Sequence, residues 1–143
     1  MHLPSNWQWY AFGSAFFAAL TALFGKIGVA NINSNYATFI RTCVILGVTA
    51  AIISARGEWQ KPQQVAASTW LFLVLSGIAT GLSWLCYYRA LQLGPVSKVA
   101  PVDKLSVALA IVLGILFVGE TLTWPVALGG ALIVAGSVVI IAF

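Results

Sequence analysis

Long apolar runs separated by short polar segments make up most of the chain. Each run has about 20 residues, the length that a helix needs to cross ~30 Å of hydrocarbon at 1.5 Å per residue. The predicted helices cover residues 7–30, 36–55, 70–90, 99–118 and 124–143. This pattern predicts an all-α, polytopic membrane protein, a bundle of five transmembrane helices in which residues 1–143 form a single transmembrane domain.

The links between these helices are short, so helices that follow one another in the chain should pack as antiparallel neighbours. The longest link, residues 56–69, is polar and is expected to be a solvated loop. Trp7, Trp70 and Trp124 stand at the starts of the first, third and fifth helices, as amphipathic rings at a headgroup level do. We therefore assign these three starts to one face of the membrane, side A, and the opposite helix ends to side B.

Composition supports the same class of protein. Hydrophobic residues make up 61% of the chain and charged residues 7%, and the mean hydropathy is +0.98. Soluble domains keep roughly 25% charged residues, so a stable water-soluble monomer is excluded. The net charge is +4, but the cations are scattered among apolar runs instead of clustered on one face, so nucleic acid is not an expected partner.

Small residues recur at helical spacing in two of the predicted helices. Gly77 and Gly81 form a GxxxG pair, and Ala127, Ala131 and Ala135 follow one another at intervals of four. Such residues allow close approach of helix backbones in lipid. We expect them to form packing seams, either within the chain or between chains.

The fourth helix differs from the others. Its uninterrupted apolar stretch, residues 105–118, would be only about 21 Å long as a helix. To span the membrane it must include Pro101, Asp103 and Lys104, and a proline inside a helix removes one backbone donor and disturbs the preceding turn. A short, proline-interrupted hydrophobic segment is a sequence indication of a transporter's binding site.

Ionisable residues of four helices are predicted to lie at one depth near side B. Lys26 and Arg89 stand near the ends of the first and third helices, while Arg41, Asp103 and Lys104 follow the starts of the second and fourth. Charged groups at such depth are costly when they face lipid. We therefore expect them to face a shared wet vestibule, with snorkelling to the interface as the alternative for Lys26 and Arg89.

The charges in this vestibule predict its ligand. Asp103 and Lys104 are neighbours that would point about 100° apart on a helix, so we expect no pairing between them and place Asp103 beside Arg41. Four cations against one carboxylate leave a positive cavity, which attracts an anionic or zwitterionic solute.

Aromatic side chains of the third helix lie near the same level. Trp84 and Tyr88 share a helix face, with Gly77 and Gly81 on that face below them. They are predicted to form a flat wall for stacking a substrate, with interfacial anchoring or core packing as the alternative. The predicted substrate-binding residues are Lys26, Arg41, Trp84, Tyr88, Asp103 and Lys104.

Catalytic and metal-binding patterns are missing from the sequence. The single histidine is His2, and there are no paired carboxylates and no CxxC or HExxH motif. We therefore predict that the protein is not an enzyme and needs no metal and no cofactor.

An ordered set of short motifs follows the third helix. The chain reads YRAL at 88–91, GPVSKVAP at 94–101, LS at 105–106, GETL at 119–122 and GGALI at 129–133, followed by Gly136. This set resembles the EamA-type domain of the drug/metabolite transporter superfamily. Glu120 matches the Gly-Glu element of that family, and we expect it to support the start of the last helix with Thr123 as its N-cap.

The resemblance implies a function and an assembly. Members of the superfamily usually carry two such five-helix halves in inverted orientation around a substrate path, and this chain corresponds to one half. The implied partner is an antiparallel copy of the chain, as in the related small multidrug resistance proteins, or a second half-size chain. Unlike those proteins, this chain has no acidic residue in its first helix, so their exchange of cations for protons is not expected here.

The resulting expectation is a secondary transporter of the inner or plasma membrane. It would move a small organic metabolite, such as an amino acid, by alternating access. The alternative is a non-transporting or heteromeric membrane subunit, for example part of a flippase for a lipid-linked anion. Basic residues of the loops are balanced, two on each side, and the deeper cations add only a weak bias that makes side B cytoplasmic. So weak a bias predicts insertion in both orientations.

Overall fold

The computed structural model describes residues 7–143. The helices are α1 (Trp7–Gly28), α2 (Ser34–Arg56), α3 (Ala67–Leu93), α4 (Val96–Asp103), α5 (Leu105–Leu113) and α6 (Trp124–Ala142), with a 3₁₀ turn at Pro62–Gln64 and a π-helical segment at Gly114–Val118. In this part of the chain five spans are long and apolar enough to cross a membrane, since α4, α5 and the π-helical segment together form the span Val96–Val118. The predicted all-α, polytopic membrane fold is confirmed.

Both ends of α2 are capped by residues whose chemistry suits the position. The Asn33 side-chain oxygen accepts hydrogen bonds from the backbone N–H groups of Asn35 and Tyr36 at 2.9 and 3.3 Å, as an N-cap does. At the other end Gly57 adopts a left-handed conformation with φ 65°. The Glu58 N–H then reaches the Ile53 carbonyl at 3.0 Å, which closes the helix as a Schellman motif.

The fourth span is interrupted three residues after its proline. Pro101 has no N–H to donate within α4, and the backbone N–H of Lys104 bonds to the Pro101 carbonyl at 3.0 Å. Val107 in turn bonds to the Lys104 carbonyl at 3.0 Å. These three-residue spacings replace the α-helical pattern at Lys104. The span therefore consists of α4, α5 and the π-helical segment, whereas the sequence predicts one helix over 99–118.

The described chain divides into two compact units, one formed by residues 7–23 and Leu93–Phe143 and the other by Phe24–Gln92. In the first unit α4 and α5 both pack against α6. The side chain of Ser137 is buried and donates a 2.8 Å hydrogen bond to the Pro101 carbonyl. This bond satisfies a backbone acceptor beside the helix interruption.

In the unit Phe24–Gln92, the end of α1, the start of α2 and the end of α3 lie together. Val29 and Leu91 are fully buried there. The Gln92 side-chain amide donates to the carbonyls of Val29 and Ile32 at 2.9 and 2.6 Å. These bonds join the segment that follows α1 to the last turn of α3, and they fix the end of the unit beside the candidate site.

Large apolar side chains remain exposed along the described spans. Phe72 of α3 is 68% exposed and Leu46 of α2 is 70% exposed. Because helix backbones satisfy their own hydrogen bonds, such apolar surfaces suit contact with lipid tails or with another membrane chain. The exposed fraction therefore agrees with a multi-pass membrane protein.

Candidate functional site

One face of α3 carries both the small and the aromatic residues of the candidate site. Gly77, Gly81, Trp84 and Tyr88 follow one another at spacings of three and four residues, which places them on one side of the helix. Arg41, in the first half of α2, meets Trp84, in the second half of α3. Because α2 and α3 are antiparallel neighbours, the first half of α2 lies beside the second half of α3.

Arg41 and Trp84 form the closest contact of the site. The guanidinium carbon of Arg41 lies 3.4 Å from the Trp84 ring centroid and 5.9 Å from that of Tyr88. A cation over the face of an aromatic ring is attracted by the ring quadrupole, with a gain of about 0.5 to 2 kcal/mol that increases with desolvation. The contact holds the cation against α3.

The positive charge of Arg41 is not neutralised within its own unit. Glu58 is the one carboxylate in the segment Phe24–Gln92, and it pairs with Arg56 at 3.1 Å beyond the end of α2. Arg41 is therefore left with aromatic neighbours that attract a cation without cancelling its charge. This arrangement can attract an anionic group from solution.

A groove of about 420 Å³ begins at this contact and runs between α2 and α3. A Cβ atom added at Gly77 or Gly81 would meet nothing within 4 Å, so the two glycines leave space open along the groove. Its full lining is Arg41, Thr42, Ile45, Leu73, Ser76, Gly77, Thr80, Gly81 and Trp84. The groove thus combines one cation, three hydroxyls and an apolar remainder.

The groove lies in the central part of its two helices. Arg41 is the eighth residue of α2, about 10 Å along the axis, and Ile45 stands at the midpoint of that helix. Transporter sites built between membrane helices occupy this depth. The position and lining of the groove therefore suit a solute-binding site within the membrane.

Lys26, another predicted site residue, belongs to the same unit. Its Nζ donates a hydrogen bond to the Leu91 carbonyl at 2.5 Å. Carbonyls of the last helical turn lack intrahelical partners and carry the negative end of the helix dipole. This contact gives Lys26 a structural partner at the end of α3, and its role in substrate binding stays a prediction.

Tyr88 is buried, at 6% exposure, against the end of α1. A Cβ atom added at Gly25 would lie 3.3 Å from the Tyr88 hydroxyl and 3.4 Å from Leu91 Cδ1, so glycine permits the close approach. The rings of Trp84 and Tyr88 meet at 62° with their centroids 5.8 Å apart. The predicted flat wall is therefore wrong in shape, because rings one turn apart adopt the favourable edge-to-face arrangement.

Asp103 and Lys104 lie in the other unit and pair with each other. Lys104 Nζ is 3.3 Å from Asp103 Oδ2, which contradicts the expectation that these neighbours would not pair. The expectation assumed one continuous helix, whereas Lys104 lies between α4 and α5. The Arg41–Asp103 pair, the vestibule shared by all the ionisable residues and the substrate-binding roles of Asp103 and Lys104 stay predictions.

The residues before α6 differ in part from the expectation. Thr123 occupies the N-cap position, but its side chain makes no capping hydrogen bond. The Glu120 carboxylate lies beside the Gly114 backbone, where an added Cβ would be only 2.9 Å from Oε2. The left-handed conformation of Gly119, with φ 77°, turns the chain back on itself. Glu120 is therefore directed toward the end of the fourth span instead of the start of α6.

Sequence reasoning missed the hydroxyls of the groove and two positioning residues. Thr42, Ser76 and Thr80 line the groove, while Gly25 and Gln92 shape the neighbouring end of the unit. Ser76 and Thr80 gave the available signal, since they are polar residues one turn apart in the otherwise apolar stretch 71–82 of α3.

Comparisons with known proteins agree with the membrane fold. The EamA-like transporter family matches residues 5–142. A protein of Sinorhizobium sp described as an uncharacterized transporter in cobO 3'region is 55% identical over 141 residues, which cover 99% of this chain and 100% of the relative. No solved structure matches the chain.

Proposed function

Because the chain belongs to the EamA-like transporter family and is a transporter of the drug/metabolite superfamily, we propose a substrate class and a mechanism for it. It moves a small anionic or zwitterionic metabolite, such as an amino acid, across the inner or plasma membrane by alternating access. Family membership points to a transporter and not to an enzyme.

The position of Arg41 carries this proposal. Its guanidinium lies over Trp84 at one end of the groove between α2 and α3, and no carboxylate of the same unit pairs with it. Arginine presents a planar set of donors that matches a carboxylate in a bidentate fashion. A solute that carries a carboxylate therefore supplies the charge that Arg41 lacks.

We further propose that two half-size chains form the working transporter, most simply two antiparallel copies of this chain. The Sinorhizobium relative is matched over its whole length, so that relative has the size of one half, which supports the proposal. Two chains in inverted orientation can rock against each other around a site near the membrane midplane. The groove between α2 and α3 then opens to each side in turn.

The direct test is a charge-class screen on the purified protein reconstituted into liposomes. Radiolabelled organic anions, amino acids and permanent organic cations of similar size are offered in parallel, with protein-free liposomes as the control. We expect saturable uptake of at least one anion or zwitterion. Uptake of permanent cations alone would overturn the proposed substrate class.

The same preparation distinguishes the alternative of a heteromeric subunit. If the purified chain transports no member of any charge class and a second half-size membrane protein copurifies with it, the chain is one subunit of a heteromer. Transport by the purified chain alone would exclude that arrangement.

A further inference from the structure

We propose that the groove between α2 and α3 selects organic carboxylates that have a compact, uncharged apolar body, an inference that rests on the proposed transport function. Arg41 binds the carboxylate, and the body of the solute lies over Gly77 and Gly81. Gly81 sets the size limit. Gly81, which has no side chain to contact the solute, thereby determines which solutes fit.

The in-plane N–H donors of Arg41 are the part of its guanidinium that a ligand can bind. Its guanidinium is stacked over the Trp84 ring, 3.4 Å from the centroid. Stacking occupies one flat face of the guanidinium and leaves the in-plane N–H donors available to a carboxylate. Trp84 is therefore a positioning residue that fixes the plane in which the acid binds.

Beyond Arg41 the lining of the groove is uncharged, with the hydroxyls of Thr42, Ser76 and Thr80 as its polar groups. An ammonium group would exchange water for hydroxyls with no carboxylate in reach, and burial of a charge without an opposite partner is costly. A carboxylate should therefore bind more tightly than the amino acid of the same skeleton, and the amine should bind least.

The groove has open volume beside two glycines of α3. The Cβ positions of Gly77 and Gly81 both point into open volume, with no atom of the chain within 4 Å. Ile45 and Leu73 supply apolar surface in the same groove. A larger side chain at Gly81 would occupy the volume in which the body of the solute lies, and it would disturb no contact inside the chain.

The charge order is tested by equilibrium binding to the full chain in nanodiscs, with empty nanodiscs subtracted. The radiolabelled probes are 3-phenylpropanoate, phenylalanine and 3-phenylpropylamine, which share one skeleton. We expect affinity to fall in that order, with at least a tenfold difference between the first and the last, equivalent to about 1.4 kcal/mol. Equal or tighter binding of the amine, or no measurable binding of 3-phenylpropanoate, would overturn the inference.

The size limit is tested with Gly81→Leu and a matched control, Gly47→Leu. Gly47 also lies in a membrane helix and has open space at its Cβ, but it does not line the groove. We expect Gly81→Leu to weaken 3-phenylpropanoate binding at least tenfold and propanoate binding less than twofold, with no change for Gly47→Leu. An equal loss of both acids in Gly81→Leu would show that this face packs against another helix and would overturn the inference.

Uptake measured on the same variants separates this inference from the proposed function. Transport of an anion or zwitterion with an unchanged size profile in Gly81→Leu would overturn the size limit and leave the transport function standing. Size-selective binding of acids without transport of any solute would contradict the function and leave the assignment of the groove standing.

Discussion

Arg41 lies about 10 Å along α2, a depth at which a charged side chain facing lipid costs on the order of 3 kcal/mol. Contact with Trp84 offsets part of that cost and fixes the guanidinium at one end of the groove. The same contact leaves the charge in place, because an aromatic ring attracts a cation without neutralising it. A deep cation held in this way is suited to a ligand that brings its own negative charge.

The role of Trp84 as a positioning residue gives a graded prediction. Trp84→Phe keeps a flat face under Arg41, whereas Trp84→Ala removes it. We expect Trp84→Ala to raise the apparent KM for the best solute of the charge-class screen about tenfold, and Trp84→Phe to raise it less. Trp124→Ala, at the exposed tryptophan that begins the last span, is the control and should leave KM unchanged. Equal KM values for Trp84→Ala and wild type would remove Trp84 from the site.

The close approach of α1 to α3 predicts a difference between two glycines of one helix. Gly25 faces the Tyr88 hydroxyl, whereas Gly28 has open space at its Cβ. Gly25→Val should lower the free energy of unfolding by about 1 to 3 kcal/mol more than Gly28→Val, because overpacking forces neighbours to move. Thermal unfolding in detergent measures the difference, and identical melting temperatures for the two variants would contradict the packing described.

For single residues, the position along a helix was predictable from the sequence and the side-chain contacts were not. Counting residues from the helix ends identified Arg41 and Trp84 as candidates without indicating that they touch. The sequence also predicted that Asp103 and Lys104 point apart, whereas they pair at 3.3 Å. Which side chains pair depends on where a helix is interrupted and on how the helix is rotated about its axis. The apolar residues on both sides of Asp103 and Lys104 give little information on these two properties.

The fourth span shows both the strength and the limit of prediction for a whole element. Pro101 indicated a disturbed helix, and the structure has an interruption at Lys104. The partner that stabilises it, Ser137, comes from α6 and donates to the Pro101 carbonyl. A sequence locates the proline that weakens a helix, but the hydroxyl that compensates it can come from any neighbouring element.

That hydrogen bond gives a prediction at the scale of the element. Ser137→Ala leaves the Pro101 carbonyl without its side-chain donor and should destabilise the fold by about 1 kcal/mol. Ser106→Ala, at an exposed serine of α5, is the matched control and should have a smaller effect. Chemical unfolding of both variants in the same detergent measures the difference, and an equal effect would mean that the bond contributes nothing to stability.

The groove face of α3 was only partly predictable. Apolar residues occur all round this helix, and a helix of this kind has no polar face that marks its orientation. The glycine pair and Trp84 were correctly placed on one face, whereas Ser76 and Thr80 were overlooked as lining residues. The structure supplied the missing information, which is the side of α3 that α2 approaches.

For the whole molecule, the exposed apolar surface and the family assignment lead to the same expectation of a larger assembly. Large side chains such as Phe72 and Leu46 are exposed on the spans, and we propose that a second half-size chain and lipid share this surface. The sequence predicted the membrane class from composition alone. The identity of the partner chain could not be predicted from the sequence, because several arrangements of chains and lipid can cover the same apolar helix faces.

The equal number of basic residues in the loops of the two sides, with only a weak bias from the deeper cations, predicts dual topology. A reporter fused to the C-terminus should be detected on both faces of the membrane in comparable amounts, since little charge bias favours either orientation. Adding two lysines to the loop around Lys61 should shift the reporter strongly to one face. Detection on a single face in the unaltered chain would contradict insertion in both orientations.

Recognition of the solute is the role proposed for Arg41, and one uptake comparison tests this role directly. Proteoliposomes carrying wild type, Arg41→Lys, Arg41→Gln or the loop control Lys61→Gln are offered the best anion or zwitterion of the charge-class screen. We expect unchanged uptake by Lys61→Gln, at least a tenfold lower kcat/KM for Arg41→Lys and no saturable uptake by Arg41→Gln. Saturable uptake by Arg41→Gln equal to that of wild type would contradict this role.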